Sequence, residues 1–199
     1  LTVVVCLAGA MLARQAAGQA MSAATTTLQL SAFGGASERA TRIAGAKNTD
    51  ITAGIDLGFL PSHGWYPALE LRGSLPMASG LVDSEKEFLG GILLGRRLGS
   101  GPGPVRPYAN VLVGRGQVTY FGAGQQVPGQ NVFYTMSHTL VLSPGGGLEI
   151  DVSRSFALKL DAQAERYSSP VTASGHAWAA VATVGVVYRL RFERAEMGR

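Results

Sequence analysis

The chain has one cysteine, Cys6. A single thiol closes no intramolecular disulfide and falls short of any cysteine-based metal site. Charged residues make up only 15 % of the 199, whereas disordered proteins are rich in charge and poor in hydrophobes. Long apolar runs are also missing. None approaches the ~18 residues of a membrane-spanning helix. The glycine runs Gly145-Gly146-Gly147 and Gly114-Arg115-Gly116 sit within strand-like patterns, without the G-x-G-x-x-G or P-loop spacing that cradles phosphate. Basic residues are scattered, so the net charge of +4 leaves no nucleic-acid footprint. The three histidines, His63, His138 and His176, lie on separate segments. These absences leave no catalytic residue, no metal site and no cofactor to assign.

What the chain does have is alternation. From His176 to Phe192, every second residue is apolar: Trp178, Ala180, Ala182, Val184, Val186, Tyr188, Leu190 and Phe192. Successive side chains of a strand point to opposite faces, so this is one strand with an apolar face and a wetter one. At a tilt near 45°, roughly ten residues cross a bilayer core. Seven further segments follow the same rule with varying clarity. They centre on Leu28–Ala32, Ile51–Phe59, Leu69–Leu75, Glu87–Leu98, Arg106–Tyr120, Leu142–Val152 and Phe156–Glu165. The last of these is the sharpest: Phe156, Leu158, Leu160, Ala162 and Ala164 face one way, and Lys159, Asp161, Gln163 and Glu165 the other. A strict period of two excludes an amphipathic helix. The fifth segment fits either parity, and a bulge is expected near Gly114–Gly116. Glycine, at 27 of 199 residues, is about twice its usual ~7 % share and suits bent, crowded strands.

Residues 1–20 differ from the rest. Leu1 to Leu12 is almost wholly apolar, and Ala16-Ala17-Gly18-Gln19-Ala20 supplies the small residues of a cleavage site. This predicts a signal peptide removed after Ala20. Residues 21–192 then form one domain of eight strands, and 193–199 a tail. The expected connections alternate long and short along the chain. The long ones fall near residues 35–48, 76–84, 121–138 and 168–175, all at one end of an up-and-down barrel. Long loops at one end and short turns at the other mark bacterial outer-membrane barrels.

The stretches Arg106-Pro-Tyr-Ala-Asn-Val-Leu-Val-Gly114, Ser143-Pro-Gly-Gly-Gly-Leu-Glu-Ile-Asp151 and Val186-Val-Tyr-Arg-Leu-Arg-Phe192 resemble the eight-stranded outer-membrane β-barrels of the OmpA/OmpX type. The resemblance covers nearly the whole chain from Thr25. It implies an all-β, eight-stranded antiparallel up-and-down transmembrane β-barrel in the outer membrane. It also implies a non-enzymatic structural or surface-contact role, with the loops free to meet a surface ligand. Outer-membrane lipids, lipopolysaccharide and the barrel-assembly machinery are the implied partners of a monomer. In such barrels a terminal aromatic serves as an assembly signal; here Phe192 is followed by seven further residues.

A small barrel is filled with side chains. Glu70, Arg72, Arg97, Arg115, Glu149, Asp151, Lys159, Asp161, Glu165 and Arg189 are therefore expected to form a lumen network of ion pairs. Trp65, Tyr66, Tyr108, Tyr120, Tyr167, Trp178, Tyr188 and Phe192 are expected as membrane-interface aromatics. Two rival readings remain. A lipid A-modifying enzyme would use His138 or His176 with a nearby serine at the outer rim. A soluble periplasmic lipocalin-like barrel would reverse the faces, with the apolar set inward.

Overall fold

The computed structural model describes residues 27–41, 47–60, 64–78, 83–99 and 103–192. The expected leader (1–20), the tail (193–199) and His63 lie outside them. Ten strands follow one another: β1 (Thr27–Thr41), β2 (Lys47–Leu60), β3 (Trp65–Ala78), β4 (Asp83–Arg96), β5 (Val105–Tyr120), β6 (Gln125–Gln126), β7 (Phe133–Tyr134), β8 (Met136–Asp151), β9 (Phe156–Ser168) and β10 (His176–Phe192). Eight close into an all-antiparallel barrel in the order β1-β10-β9-β8-β5-β4-β3-β2, while β6 and β7 form a small ribbon between β5 and β8. Closure comes from β10 pairing with β1, from Leu28↔Phe192 to Thr41↔Ala179. The seam brings two glycines face to face. A Cβ on Gly35 would lie 2.2 Å from the Val184 carbonyl oxygen, and one on Gly185 would lie 2.7 Å from that of Gly34.

The strands run further than their clearest alternation suggests. β1 continues through Glu38 and Arg39 to Thr41, so the first loop shrinks to residues 42–46 and the second to 79–82. Two of the four expected long connections are thus short, because strand pairing absorbs them. The ends are distinguished mainly by the connection 121–135, which carries the β6–β7 ribbon. We call the end with connections 42–46, 79–82, 121–135 and 169–175 the loop end, and the opposite one the turn end. The bulge expected at Gly114–Gly116 is absent: β5 keeps unbroken register with β4 and β8 through these residues. The one irregularity among the described pairings of β2 and β3 falls at Thr49/Asp50.

The alternation sorts side chains as it must in a closed wall. Leu69, Ile92, Val111, Leu140 and Val184 point outward and are exposed, while Glu70, Arg72, Lys159 and Glu165 are buried inside. On β4, Lys86 and Arg96 bracket the outward run Phe88, Ile92 and Leu94. Ten residues of strand cover about 33 Å, or about 23 Å of membrane normal at a 45° tilt. That height matches the ≈ 25 Å apolar band of a membrane barrel. An inverted, lipocalin-like arrangement would need the opposite faces.

Aromatics need a correction. Trp65, Trp178 and Tyr188 are on the outer wall, Trp65 beneath Arg96 at 5.2 Å and Tyr188 tilted against Phe156 at 5.1 Å. Tyr66, Tyr108, Tyr120 and Tyr167 are instead buried in the interior. Each shares parity with lumen groups, and three of their hydroxyls find polar partners there: Tyr108 with Asp161, Tyr120 with Ser137 and Tyr167 with Thr41. The Tyr66 ring fills the space over Gly95, where a Cβ would come within 2.2 Å of it. The side chain of Phe192 is outside the described set.

Candidate functional site

The interior is the most elaborate chemical environment of the chain. It is built by inward positions of all eight barrel strands and divides into three tiers. Nearest the loop end, Arg39 of β1 is the hub. Its Nε donates to Asp50 at 3.0 Å and its Nη2 to Glu87 at 2.8 Å, with Glu85 at 3.4 Å and Glu165 in direct contact. Four carboxylates from β2, β4 and β9 therefore share one guanidinium. Glu85, Glu87 and Glu165 approach within 4.8 Å of one another, and the cation among them is Arg39 itself.

The middle tier centres on Arg72. It grips Asp161 through two bonds of 2.7 and 3.1 Å and also pairs with Glu70 at 2.6 Å. The planar fork of arginine matches a carboxylate in this way. Tyr108 donates to Asp161 at 2.6 Å, Gln163 donates to Asn110 at 3.0 Å, and Asn110 donates to Glu70 at 2.8 Å. Lys159 lies 3.8 Å from Glu70, 3.9 Å from Asp56 and 3.7 Å from the Phe33 ring centroid. At that distance the ring face attracts the ammonium. Replacing Tyr108 with phenylalanine removes the charged hydrogen bond and should lower stability by about 1.5–3 kcal/mol. Urea unfolding of the variant in detergent measures this, and an unchanged midpoint would show the bond to be idle.

At the turn end, Arg106 reaches Asp151 at 2.9 Å, and Arg189 contacts both Asp151 and Glu149. Gln29 accepts from Arg106 at 3.5 Å.

Of the ten charges expected in the lumen, Glu70, Arg72, Glu149, Asp151, Lys159, Asp161, Glu165 and Arg189 are buried there. Arg97 and Arg115 are not. β4 ends at Arg96, leaving Arg97 exposed in the connection beyond it, where its amide donates to Gly64. Arg115 shares the parity of Val111 and Val113 on an unbroken strand and points outward. Asp56 and Glu87, inward by the same alternation, are buried there too, whereas Arg39, Asp50, Glu85 and Arg106 are four lumen charges that the sequence did not reveal. Parity was the available signal, since Asp50 shares the face of Thr52 and Asp56, and Glu85 that of Glu87.

Several of these side chains have 0–1 % of their surface accessible, including Arg39, Asp50, Glu70 and Lys159. A water-filled bore would wet them. The tiers act as a charged plug that ties strands together across the barrel. Among the described residues, neither outer-rim histidine side chain is hydrogen-bonded to a serine. Ser137 points inward and shares a 3.1 Å hydrogen bond with Tyr120, while His138, the next residue, points outward. His176 opens β10 opposite Ser168, and its carbonyl accepts from Thr172 and Ser174.

The plug is acidic and the outer wall basic. Nine buried carboxylates face five buried cations. Outside, Lys47, Lys86, Arg96, Arg115 and Arg166 are exposed on strands, and Glu38 is the one outward acid among the described side chains.

No protein-family model matches the sequence, and no curated protein matches it. Solved structures of similar shape include Neisserial surface protein A, 13 % identical with a TM-score of 0.48, over 81 % of this chain and 96 % of that one. Another is the attachment invasion locus protein Ail of Yersinia pestis, in complex with the heparin analogue sucrose octasulfate. It is 14 % identical with a TM-score of 0.48, over 82 % of this chain and 99 % of Ail. The N-terminal β-barrel domain of Pseudomonas aeruginosa OprF is 14 % identical with a TM-score of 0.40, over 82 % and 97 %. The eight-stranded closure of the present chain stands on the register of its own strands.

Proposed function

We propose that the chain is an integral protein of the bacterial outer membrane with a non-enzymatic role in envelope structure or surface contact. The observation that carries this reading is the pairing of an apolar outer wall with a sealed, charged interior. In a bilayer every backbone polar group of a spanning segment must be satisfied internally, which a closed barrel achieves. The sealed interior favours a structural or contact role over conduction. Residues 1–20 direct export and are cleaved after Ala20, residues 21–192 make the barrel, and 193–199 are a tail. Phe192 is the candidate signal read by the assembly machinery, and the barrel works as a monomer.

Contact with a surface ligand falls to the loop end. Its largest connection, residues 121–135, exposes Phe121, Val132, Phe133 and Tyr134 around the β6–β7 ribbon. Loops held by a rigid scaffold are the usual carriers of binding.

Cell fractionation with gel mobility before and after boiling tests the reading. The expected result is a heat-modifiable band in the outer-membrane fraction whose N-terminal residue is Met21. Recovery in the soluble periplasmic fraction would overturn it.

A further inference from the structure

We infer that the outer wall of β4, β5, β8 and β9 carries a binding site for the phosphates of one lipid A headgroup, formed by Lys86, Arg115 and Arg166 with His138 among them. This rests on the reading of the chain as an outer-membrane barrel, and it names a partner and a place on the wall.

The register assembles the site. Lys86, Gln117 and His138 are directly paired across three strands, and Arg115, paired with Phe88 and Leu140, is the diagonal neighbour of both Lys86 and His138. Diagonal neighbours on one sheet face lie about 7–8 Å apart. Arg166 stands across Leu142 on β9, two strand spacings or about 10 Å to the side. All four side chains are exposed and outward. Lys86, Phe88, Arg115, Gln117 and His138 line one recess on this wall.

None of the three cations has an ion-pair partner among the described residues. The lumen acids on the same strands point the other way. A cation facing lipid is costly in the hydrocarbon and tolerated near the interface, where an anionic headgroup compensates it. The opposite wall at this end differs. There Glu38 accepts from Thr49 at 2.7 Å, Lys47 is diagonal to that acid and Met77 occupies a neighbouring strand, while Trp178 is paired with Arg166 at the edge of the site. The cations are thus concentrated on one side.

Two features select the ligand. The site lies at the loop end, which in an outer membrane meets the leaflet containing lipopolysaccharide. Its charges also form two groups, Lys86 with Arg115 and Arg166 apart from them. A disaccharide with a phosphate at each end meets such a pair of groups with a single headgroup, whereas a phospholipid offers one phosphate.

The test uses the full mature chain refolded in detergent and moved into phosphatidylcholine nanodiscs doped with diphosphorylated lipid A. Retained lipid A is counted by native mass spectrometry, and folding is checked by gel mobility. The wild type should retain lipid A over a range of concentrations. The triple variant Lys86→Gln, Arg115→Gln, Arg166→Gln should bind about a hundredfold more weakly, from the loss of three headgroup contacts. Lys47→Gln should match the wild type. A folded triple variant that retains lipid A as the wild type does would overturn the site and leave the barrel reading intact. Equal losses in Lys47→Gln and the triple variant would reduce the effect to diffuse charge and also overturn it. Equal retention of phosphatidylglycerol would overturn the assignment to lipid A. A wild type that stays soluble without lipid would overturn both readings.

Discussion

Replacing Arg39 with methionine is expected to destabilise the barrel by about 3–5 kcal/mol, the usual cost of breaking a buried ion pair from one side. The hub makes this the most sensitive lumen position. Asp50, Glu85, Glu87 and Glu165 all lie within 3.4 Å of its guanidinium. Without it, four carboxylates from three strands face one another in a space closed to water. Urea unfolding in phosphatidylcholine vesicles, followed by tryptophan fluorescence, measures the loss. Neutralising the acids as well supplies the deciding comparison. Arg39→Met combined with Asp50→Asn, Glu85→Gln, Glu87→Gln and Glu165→Gln should recover much of the stability, because no uncompensated charge is then left around the vacated position. Additive losses in the combined variant would mean that the arginine acts through packing instead.

The second large effect lies on the other face of the same wall. Ile92 is 65 % exposed and sits between Leu69 and Val111 on the neighbouring strands. It is well inside the stretch bracketed by Lys86 and Arg96. In a membrane, Ile92→Arg should cost about 2–4 kcal/mol, whereas Val152→Arg, just past the turn end of β8, should cost about 0–1 kcal/mol. Unfolding midpoints in vesicles compare the two. For a water-soluble barrel the order reverses, since an exposed isoleucine would be a liability and arginine an improvement. Equal and small costs at both positions would therefore remove the membrane from the account.

Much of this architecture was legible in the sequence because a closed sheet with unlike faces imposes one simple rule. β9 shows it without interruption, and its assignment follows from periodicity alone. Legibility failed where alternation is masked. Gly114 and Gly116 flank Arg115 and blur the parity of β5, so the arginine reads equally well as inward. Arg39 lies past the small residues Gly34, Gly35 and Ala36, where the pattern fades and a loop is the natural reading. The tyrosines were misplaced for a different reason. Aromatic rings at strand ends suggest an interface belt, yet Tyr66 and Tyr108 share parity with Glu70 and Asn110. The convergence of Arg39 with Glu85, Glu87 and Glu165 was not legible at all. It depends on which residues share a level once the sheet has closed, and local alternation carries no information about that.

The glycine contact at the β1–β10 seam bears on this level-setting. Slipping the two strands by one residue would turn every side chain to the wrong face. A slip of two would keep the faces and change the shear of the barrel, and with it the bore. It would also place Gly35 opposite Thr183 or Val187 in place of Gly185, at a spot where the backbones leave no room for a Cβ. The two glycines thus act as a gauge for the closed ring. They admit one circumference, and the meeting of the acids around Arg39 is set by that choice, made at the seam between β1 and β10.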